Sequence, residues 1–172
     1  MPLLKPGTTE KMETSNKKDG AKVRLPPPIL PIITIVGGHY LSVFVPLVSG
    51  YDLPTPARYW IGGLIAAGAL LILGLWPVVL FHKAGQSELP WTPTTEIIIQ
   101  GPYHFTRNPM YLMMVLLCIG FAILLSDAWT AVLTPVCALL LYFIAIRPEE
   151  AYLEGKFGDS YRAYKQKVRR WI

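Results

Sequence analysis

The chain has 172 residues, of which 52% are hydrophobic, and a formal net charge of +5 at pH 7. This length suits one domain, but the apolar residues are gathered into long blocks instead of recurring at the period of an amphipathic helix or strand. Because the basic residues flank those blocks and no known nucleic-acid-binding module is present, the positive charge does not indicate a nucleic-acid partner.

The apolar blocks have the length of membrane-spanning helices. Each lies near the roughly 20 residues that a helix needs to cross the hydrocarbon core, and the third is the shortest. They cover residues 29–48, 59–81, 110–125 and 129–146. We therefore predict an all-α, polytopic membrane protein with about four transmembrane helices.

The charged residues predict the orientation. Six Lys and Arg precede the first block, two lie between the second and third, and seven follow the fourth, whereas Arg58 alone lies between the first and second. Since cytoplasmic segments carry the excess of basic residues, both termini and the middle loop are expected in the cytoplasm. Residues 1–28 are polar and basic and end in three prolines, so we predict a disordered cytoplasmic tail before a membrane domain at 29–172.

Small residues within the second block indicate close packing between helices. Gly62, Gly63, Gly68 and Gly74 would let another backbone approach, and Pro77 is expected to loosen the end of this helix. In the other blocks, we expect buried, unreactive thiols at Cys118 and Cys137 and an interhelical hydrogen bond from His39.

The segment between the second and third blocks is about 27 residues long, and loops of that length are usually functional. Only about three residues join the third and fourth blocks, so these form a hairpin whose cytoplasmic ends are neighbours. Arg107 can then approach Glu149 and Glu150. This arrangement is consistent with either a structural salt bridge or a ligand pocket.

The C-terminal segment predicts two short helices. The first should end near Lys156, with a break at Phe157-Gly158 and a second helix capped by Asp159 or Ser160. An aromatic and apolar stripe follows helical spacing, and several basic residues lie off it. The stripe is formed by Tyr161, Tyr164, Val168 and Trp171, and the basic residues are Arg162, Lys165, Arg169 and Arg170. We interpret it as an interfacial helix with aromatic anchors and basic partners for lipid headgroups.

Two motifs together resemble a known family. They are Gly101-Pro102-Tyr103…Thr106-Arg107-Asn108-Pro109-Met110-Tyr111 and Glu149-Glu150-x-x-Leu153-x-x-x-Phe157-Gly158-x-x-Tyr161-x-x-Tyr164, followed by Val168 and Arg170-Trp171. Their order and spacing are similar to those of the isoprenylcysteine carboxyl methyltransferases, which form a wider group with the membrane phospholipid methyltransferases. The resemblance covers about residues 81–172, and the N-terminal half resembles the family only in being hydrophobic.

The resemblance implies a helical membrane enzyme that uses S-adenosyl-L-methionine without a Rossmann domain, with the cofactor-binding part at 82–172. By position, one group would shape the adenosine end, a second would form the floor near the substrate, and a third would bind the amino group or ribose hydroxyls. The first comprises Gly101, Pro102 and Tyr103, with His104 beside them; the second Arg107, Asn108, Pro109 and Tyr111; the third Glu149 and Glu150. Tyr161 and Tyr164 would close the pocket.

One departure from the family pattern is Met113, where the family commonly has Gly, and a larger side chain there would narrow the cleft. A second is Asn108, where some members have His.

Methyl transfer fits these residues chemically. The reaction depends on holding the nucleophile, methyl carbon and sulfur in line. A carboxylate nucleophile is already ionised at pH 7 and could be oriented by Arg107. An amine would need a base, for which Glu150 or a tyrosine is the candidate. Arg107 and Glu150 are therefore the candidate catalytic residues, and we expect no metal.

The sequence thus predicts an integral membrane S-adenosylmethionine-dependent methyltransferase acting on a lipophilic acceptor from the bilayer, with an isoprenylcysteine-like carboxylate favoured. A phospholipid amine N-methyltransferase, a sterol-reductase-like NADPH enzyme and a non-enzymatic membrane scaffold are the alternatives. Small thiols and quinone-like phenols also remain open as acceptors, as does the oligomeric state.

Overall fold

The computed structural model describes residues 20–23, 25–45 and 53–172, and within them the fold is helical. The helices are α1 (Ile29–Phe44), α2 (Thr55–Lys83), α3 (Pro109–Leu125), α4 (Ala128–Phe157) and α5 (Asp159–Lys167), with a short 3₁₀ helix at Gly101–His104. Over the described ranges no β-strand forms, and one isolated parallel bridge joins Thr106 to Arg169. The prediction of an all-α fold is confirmed. The predicted disorder of the tail falls largely on residues 1–19 and 24, outside the described residues.

Two of the helices are long and apolar enough to cross a membrane. α2 has 29 residues and α4 has 30, whereas α1 and α3 are apolar but shorter, with 16 and 17 residues. The described part of the chain therefore contains two helices of full spanning length and two shorter apolar ones. Residues 46–48 of the first predicted block lie outside the described ranges.

Helix α3 packs against α1, α2 and α4. Its approach to α2 is close, because a Cβ added at Gly62 would overlap the carbonyl oxygen of Gly120. A Cβ added at Gly74 would overlap the side-chain sulfur of Met113 in α3, whereas Gly63 and Gly68 face open space. The packing predicted for the glycines of this helix thus holds for the two that face a neighbour. Cys118 and Cys137 are buried in the apolar core between helices, as expected.

Each long helix contains a π-helical segment just before a proline. In α2 the segment Ala69–Leu75 precedes Pro77, and in α4 the segment Tyr142–Ile146 precedes Pro148. Proline lacks an N–H, and its ring crowds the carbonyl four residues earlier, so a widened turn relieves the clash. Pro77 therefore loosens α2 as predicted, in the turns before it.

A two-residue turn joins α3 to α4. Ser126 adopts a left-handed conformation, with φ at 50°, and the carboxylate of Asp127 caps α4 by accepting the backbone N–H groups of Trp129 and Thr130. His39 of α1 places its Nδ1 3.8 Å from Oδ2 of Asp127, an interhelical contact longer than a hydrogen bond. The tight turn makes α3 and α4 antiparallel neighbours, as predicted for the hairpin.

The described residues before α1 pack against the loop between α2 and α3. The backbone N–H of Ala21 donates to the carbonyl oxygen of Pro90 at 2.9 Å, and Ala21 is buried. Val23 and Leu25 pack on the core. This contact brings the three prolines at 26–28 over the loop.

Candidate functional site

The loop reaches the start of α3 through a glycine turn. Gly101 has φ at +59°, and a Cβ there would press on Trp76. The following 3₁₀ helix buries Tyr103 and leaves His104 exposed. Thr106 then donates its hydroxyl to the carbonyl oxygen of Arg170 at 2.9 Å. This bond joins the C-terminal residues to the entrance of α3.

Glu150 is the centre of a buried ion-pair network. Arg170 donates to both of its carboxylate oxygens, from Nε at 3.0 Å and from Nη2 at 2.8 Å. Asn108 donates from Nδ2 at 3.5 Å, and Nη1 of Arg107 lies 3.5 Å from Oε1. The expected approach of Arg107 to the glutamate pair is confirmed.

Arg170 is a residue of this network that sequence reasoning missed. We predicted that it would meet lipid headgroups, and that prediction is wrong. Helix α5 ends at Lys167, Val168 is extended, and the chain turns back toward α3, which carries the guanidinium of Arg170 to Glu150. The prediction extended the helical spacing through residue 170, where the helix has already ended. The motif pair Arg170-Trp171 was the only feature of the sequence that pointed to a role in the site.

The two neighbouring glutamates face different surroundings. Glu149 lines a cavity and accepts a hydrogen bond from the hydroxyl of Tyr111 at 2.6 Å, whereas Glu150 lies outside the cavity lining. Successive residues of an α-helix are rotated by about 100°, so adjacent side chains cannot share one face. Glu149 is therefore available to a ligand, and Glu150 is held by arginines.

The cavity has a volume of about 690 Å³, within the usual range for small-molecule sites. Its polar end is formed by Tyr103, Arg107, Asn108, Glu149, Tyr161 and Tyr164. A second part of the cavity lies between α2 and α3, and we call it the apolar arm. It is lined by Leu70, Leu71, Gly74, Leu75, Val78, Met110, Met113 and Met114. The prolines at 26–28 and residues of the 88–98 loop complete the wall.

Arg107 lines this cavity and has spare hydrogen-bonding capacity. Its side chain is 8% exposed, and neither Nε nor Nη1 has a hydrogen-bond partner among the described residues. Arg170 already occupies both oxygens of Glu150. A buried guanidinium with unpaired donors is a strong binding group for a carboxylate.

The tyrosines at the polar end are protonated at neutral pH. Burial raises the pKa of Tyr103 well above its ordinary value, and the charge of Glu149 raises it further. Burial likewise raises the pKa of Tyr161 and of Tyr164. The hydroxyl of Tyr164 also donates to the carbonyl oxygen of Tyr103 at 2.8 Å. These phenols can donate hydrogen bonds and offer ring faces, but they are poorly placed to supply a phenolate base.

Most of the residues predicted to form the site line the cavity, and four do not. Those that line it are Tyr103, Arg107, Asn108, Pro109, Tyr111, Glu149, Tyr161 and Tyr164. Gly101, Pro102, His104 and Glu150 are absent from the wall: the first two shape the turn, His104 is exposed and Glu150 is buried.

Two predictions for the C-terminal helix are wrong. The stripe does not face lipid headgroups, because Tyr161 and Val168 are buried within the protein and Tyr164 forms cavity wall. Nor do Asp159 and Ser160 cap α5, since its N-cap is Gly158 and no side-chain capping bond forms. The positive φ of Gly158, 54°, sets the sharp turn that folds α5 back onto the site.

Comparison with known proteins finds similarity over the same region. A sequence model of the family described as phospholipid methyltransferase matches residues 62–160. The chain is 45% identical over 65 residues, 37% of its length, to an uncharacterised protein of Haemophilus influenzae, which is covered completely. It is 32% identical over 72 residues, 42% of its length, to protein-S-isoprenylcysteine O-methyltransferase of Schizosaccharomyces pombe, of which 30% is covered.

Proposed function

Because this chain belongs to the phospholipid methyltransferase family, we propose that it is an integral membrane enzyme that uses S-adenosyl-L-methionine to methylate a lipophilic acceptor. The favoured acceptor is the carboxylate of an isoprenylcysteine-like molecule. The observation that carries this proposal is the single cavity that joins a charged, aromatic polar end to an apolar arm.

The residues at the polar end fit the proposed cofactor. When bound, S-adenosyl-L-methionine supplies an electrophilic methyl group on a cationic sulfur. The carboxylate of Glu149 suits a cationic group, and the rings of Tyr161 and Tyr164 suit a sulfonium through cation–π attraction. No Rossmann fold is needed for this set, because one loop and residues of α4 and α5 assemble it.

The apolar arm supports a lipophilic acceptor. Leu70, Leu71 and Leu75 line the arm and are also more than half exposed on the outer surface of α2. In a bilayer that surface contacts lipid, so a hydrocarbon chain can pass from the membrane into the arm without entering water. The head of the acceptor then lies at the polar end.

Several features favour a carboxylate as the methyl acceptor. A carboxylate needs no base, and the tyrosines at the polar end keep their protons at neutral pH. Arg107 can hold such a group by two N–H donors and fix its direction. Transfer from a sulfonium to a carboxylate yields a neutral ester and a neutral thioether, so the two reacting centres carry no charge afterwards. Orientation of the reacting groups can supply about 7–11 kcal/mol of the rate enhancement.

Phospholipid amine N-methylation is the second candidate. Glu149 faces the cavity, and its only hydrogen-bond partner among the described residues is the hydroxyl of Tyr111. Its carboxylate could therefore take the proton that an amine must lose. The sterol-reductase and scaffold alternatives are not retained, because the family is one of methyltransferases.

For the membrane arrangement we propose four spans with both termini in the cytoplasm. α1 and α3 are about 24–26 Å long at 1.5 Å per residue, against a hydrocarbon core of about 30 Å. Spans of this length are accommodated by little tilt and local thinning of the bilayer. The polar end of the cavity would then lie at the cytoplasmic surface.

Methyl transfer from labelled donor to a total membrane extract tests the proposal. We expect labelled lipid from the wild type, with the label released as methanol by mild alkali if the product is a carboxyl ester. Substitution Arg107→Ala should remove the activity, while Arg162→Ala, at an exposed ion pair, should retain it. Alkali-stable label would indicate an amine, thiol or phenol acceptor instead, and the lack of any labelled product would refute the proposal.

A further inference from the structure

The apolar arm has a restricted inner end. Along α3 the last residues that line it are Met113 and Met114, and along α2 the lining extends from Phe81 inward to Leu70. Farther along both helices the backbones close on each other, because a Cβ at Gly120 would overlap the carbonyl oxygen of Gly62. The arm is thus a groove that the packing of α2 against α3 terminates.

Met113 lies across this groove at Gly74. A Cβ added at Gly74 would overlap the sulfur of Met113, so the thioether occupies the space that the missing side chain leaves. Gly74 belongs to the π-helical segment of α2, one turn from Leu70 and Leu71, which also line the cavity. The side chain of Leu70 reaches the same level, because its Cδ1 lies 3.7 Å from the Cβ position of Gly74. Leu70 and Met113 therefore narrow the groove together, and Met113 is the side chain that α3 contributes.

We propose that the pair Met113 and Gly74 sets the length of the hydrocarbon chain that the acceptor site takes. The inference rests on the proposed function for the identity of the reaction, but the binding of the chain can be measured separately. Met113 acts as a specificity-determining residue because it fixes where the terminal carbons of the acceptor stop. Its contact with Gly74 holds the unbranched, flexible side chain in that place.

Two substitutions should change the accepted length in opposite directions. Met113→Ala removes three heavy atoms from the groove and opens the space beside Leu70, so longer chains fit. Gly74→Ala adds a methyl group where the sulfur lies, and since the sulfur is near the end of a flexible side chain, it moves into the arm. That variant should favour shorter chains. The double variant should return toward the wild-type length.

The probe is a series of N-acetyl-S-alkyl-cysteines with straight chains of increasing length in steps of two carbons. Dissociation constants are measured by isothermal titration on the full chain in detergent, and methyl ester formation is measured on the same series. Each further buried methylene strengthens binding by about fourfold until the chain meets the end of the groove. For Met113→Ala we expect the strongest-binding length to increase by one or two steps, and for Gly74→Ala to decrease by at least one.

Two control variants separate length selection from a general loss of folding. Met113→Leu keeps the side-chain volume nearly constant and should leave the preferred length unchanged. Gly63→Ala adds a methyl group on α2 where nothing lies within 4 Å, so it should also behave as wild type. Thermal unfolding of every variant establishes that the compared proteins are folded.

The outcomes distinguish this inference from the proposed function. Opposite changes in preferred length for the two single variants support it, whether or not the bound probes are methylated. An unchanged preference in folded Met113→Ala and Gly74→Ala would overturn it, even if methylation proceeds. Opposite changes in preferred length in the two variants, without any methyl transfer, would overturn the proposed acceptor while supporting the role of Met113.

Discussion

At the scale of single residues, the tandem glutamates show how one motif serves two purposes. Glu150 is buried and bonded by Arg170 at both oxygens, whereas Glu149 meets the cavity and the hydroxyl of Tyr111. A buried carboxylate needs such partners to offset its lost hydration. The pairing also ties the C-terminus to α4, so the site depends on residues that lie far apart in sequence.

Removing the guanidinium of Arg170 should therefore destabilise the protein. The Arg170→Ala variant loses two charge-assisted hydrogen bonds to Glu150, and because the side chain is 35% exposed we expect a loss of about 1.5 kcal/mol in the free energy of unfolding. The matched control Arg162→Ala, whose ion pairs with Glu154 and Asp159 are more exposed, should change it much less. Thermal unfolding in detergent measures both, and equal effects would contradict a structural role for Arg170.

At the scale of helices, packing between α2 and α3 determines the shape of the cavity. Gly62 and Gly120 bring the backbones together at one end, and the π-helical segment before Pro77 widens α2 at the level of Gly74. The cavity lies beside this π-helical segment, of which four residues line it. Close contact and local widening thus act together to form the apolar arm.

A methyl group at the close contact tests this arrangement. In Gly62→Ala the new Cβ would overlap the backbone of α3 at Gly120 and Leu124, which cannot move away without separating the helices. We expect a destabilisation of about 1–3 kcal/mol.

The control is Gly63→Ala, whose Cβ meets open space and which should be neutral or stabilise by up to about 1 kcal/mol through helix propensity. Both are read from thermal unfolding. If the two variants unfold alike, α2 and α3 are not in the contact described.

At the scale of the whole molecule, the sequence predicted the parts of the fold that depend on local pattern. The apolar blocks, the hairpin and the approach of Arg107 to Glu150 all follow from residue type and spacing. The parts it missed depend on tertiary contacts. Helix α5 reverses at Gly158, which buries Tyr161 instead of exposing it to lipid, and the same reversal brings Arg170 to Glu150.

The wall formed by the N-terminal segment was beyond sequence reasoning for the same reason. The prolines at 26–28 carry no motif for a binding site, and their position over the cavity results from the hydrogen bond between Ala21 and Pro90. From the sequence, Met113 is predicted only to narrow the cleft. Its contact with Gly74 required the relative placement of α2 and α3.

The central claim is that the polar end of the cavity binds the methyl donor, and isothermal titration with S-adenosylhomocysteine tests it most directly. Wild-type protein should bind one equivalent. Tyr111→Phe, which removes the hydrogen bond to Glu149, should weaken binding about tenfold, while Tyr40→Phe, at an exposed ring on α1, should not. A folded wild-type protein that binds no S-adenosylhomocysteine would contradict the account.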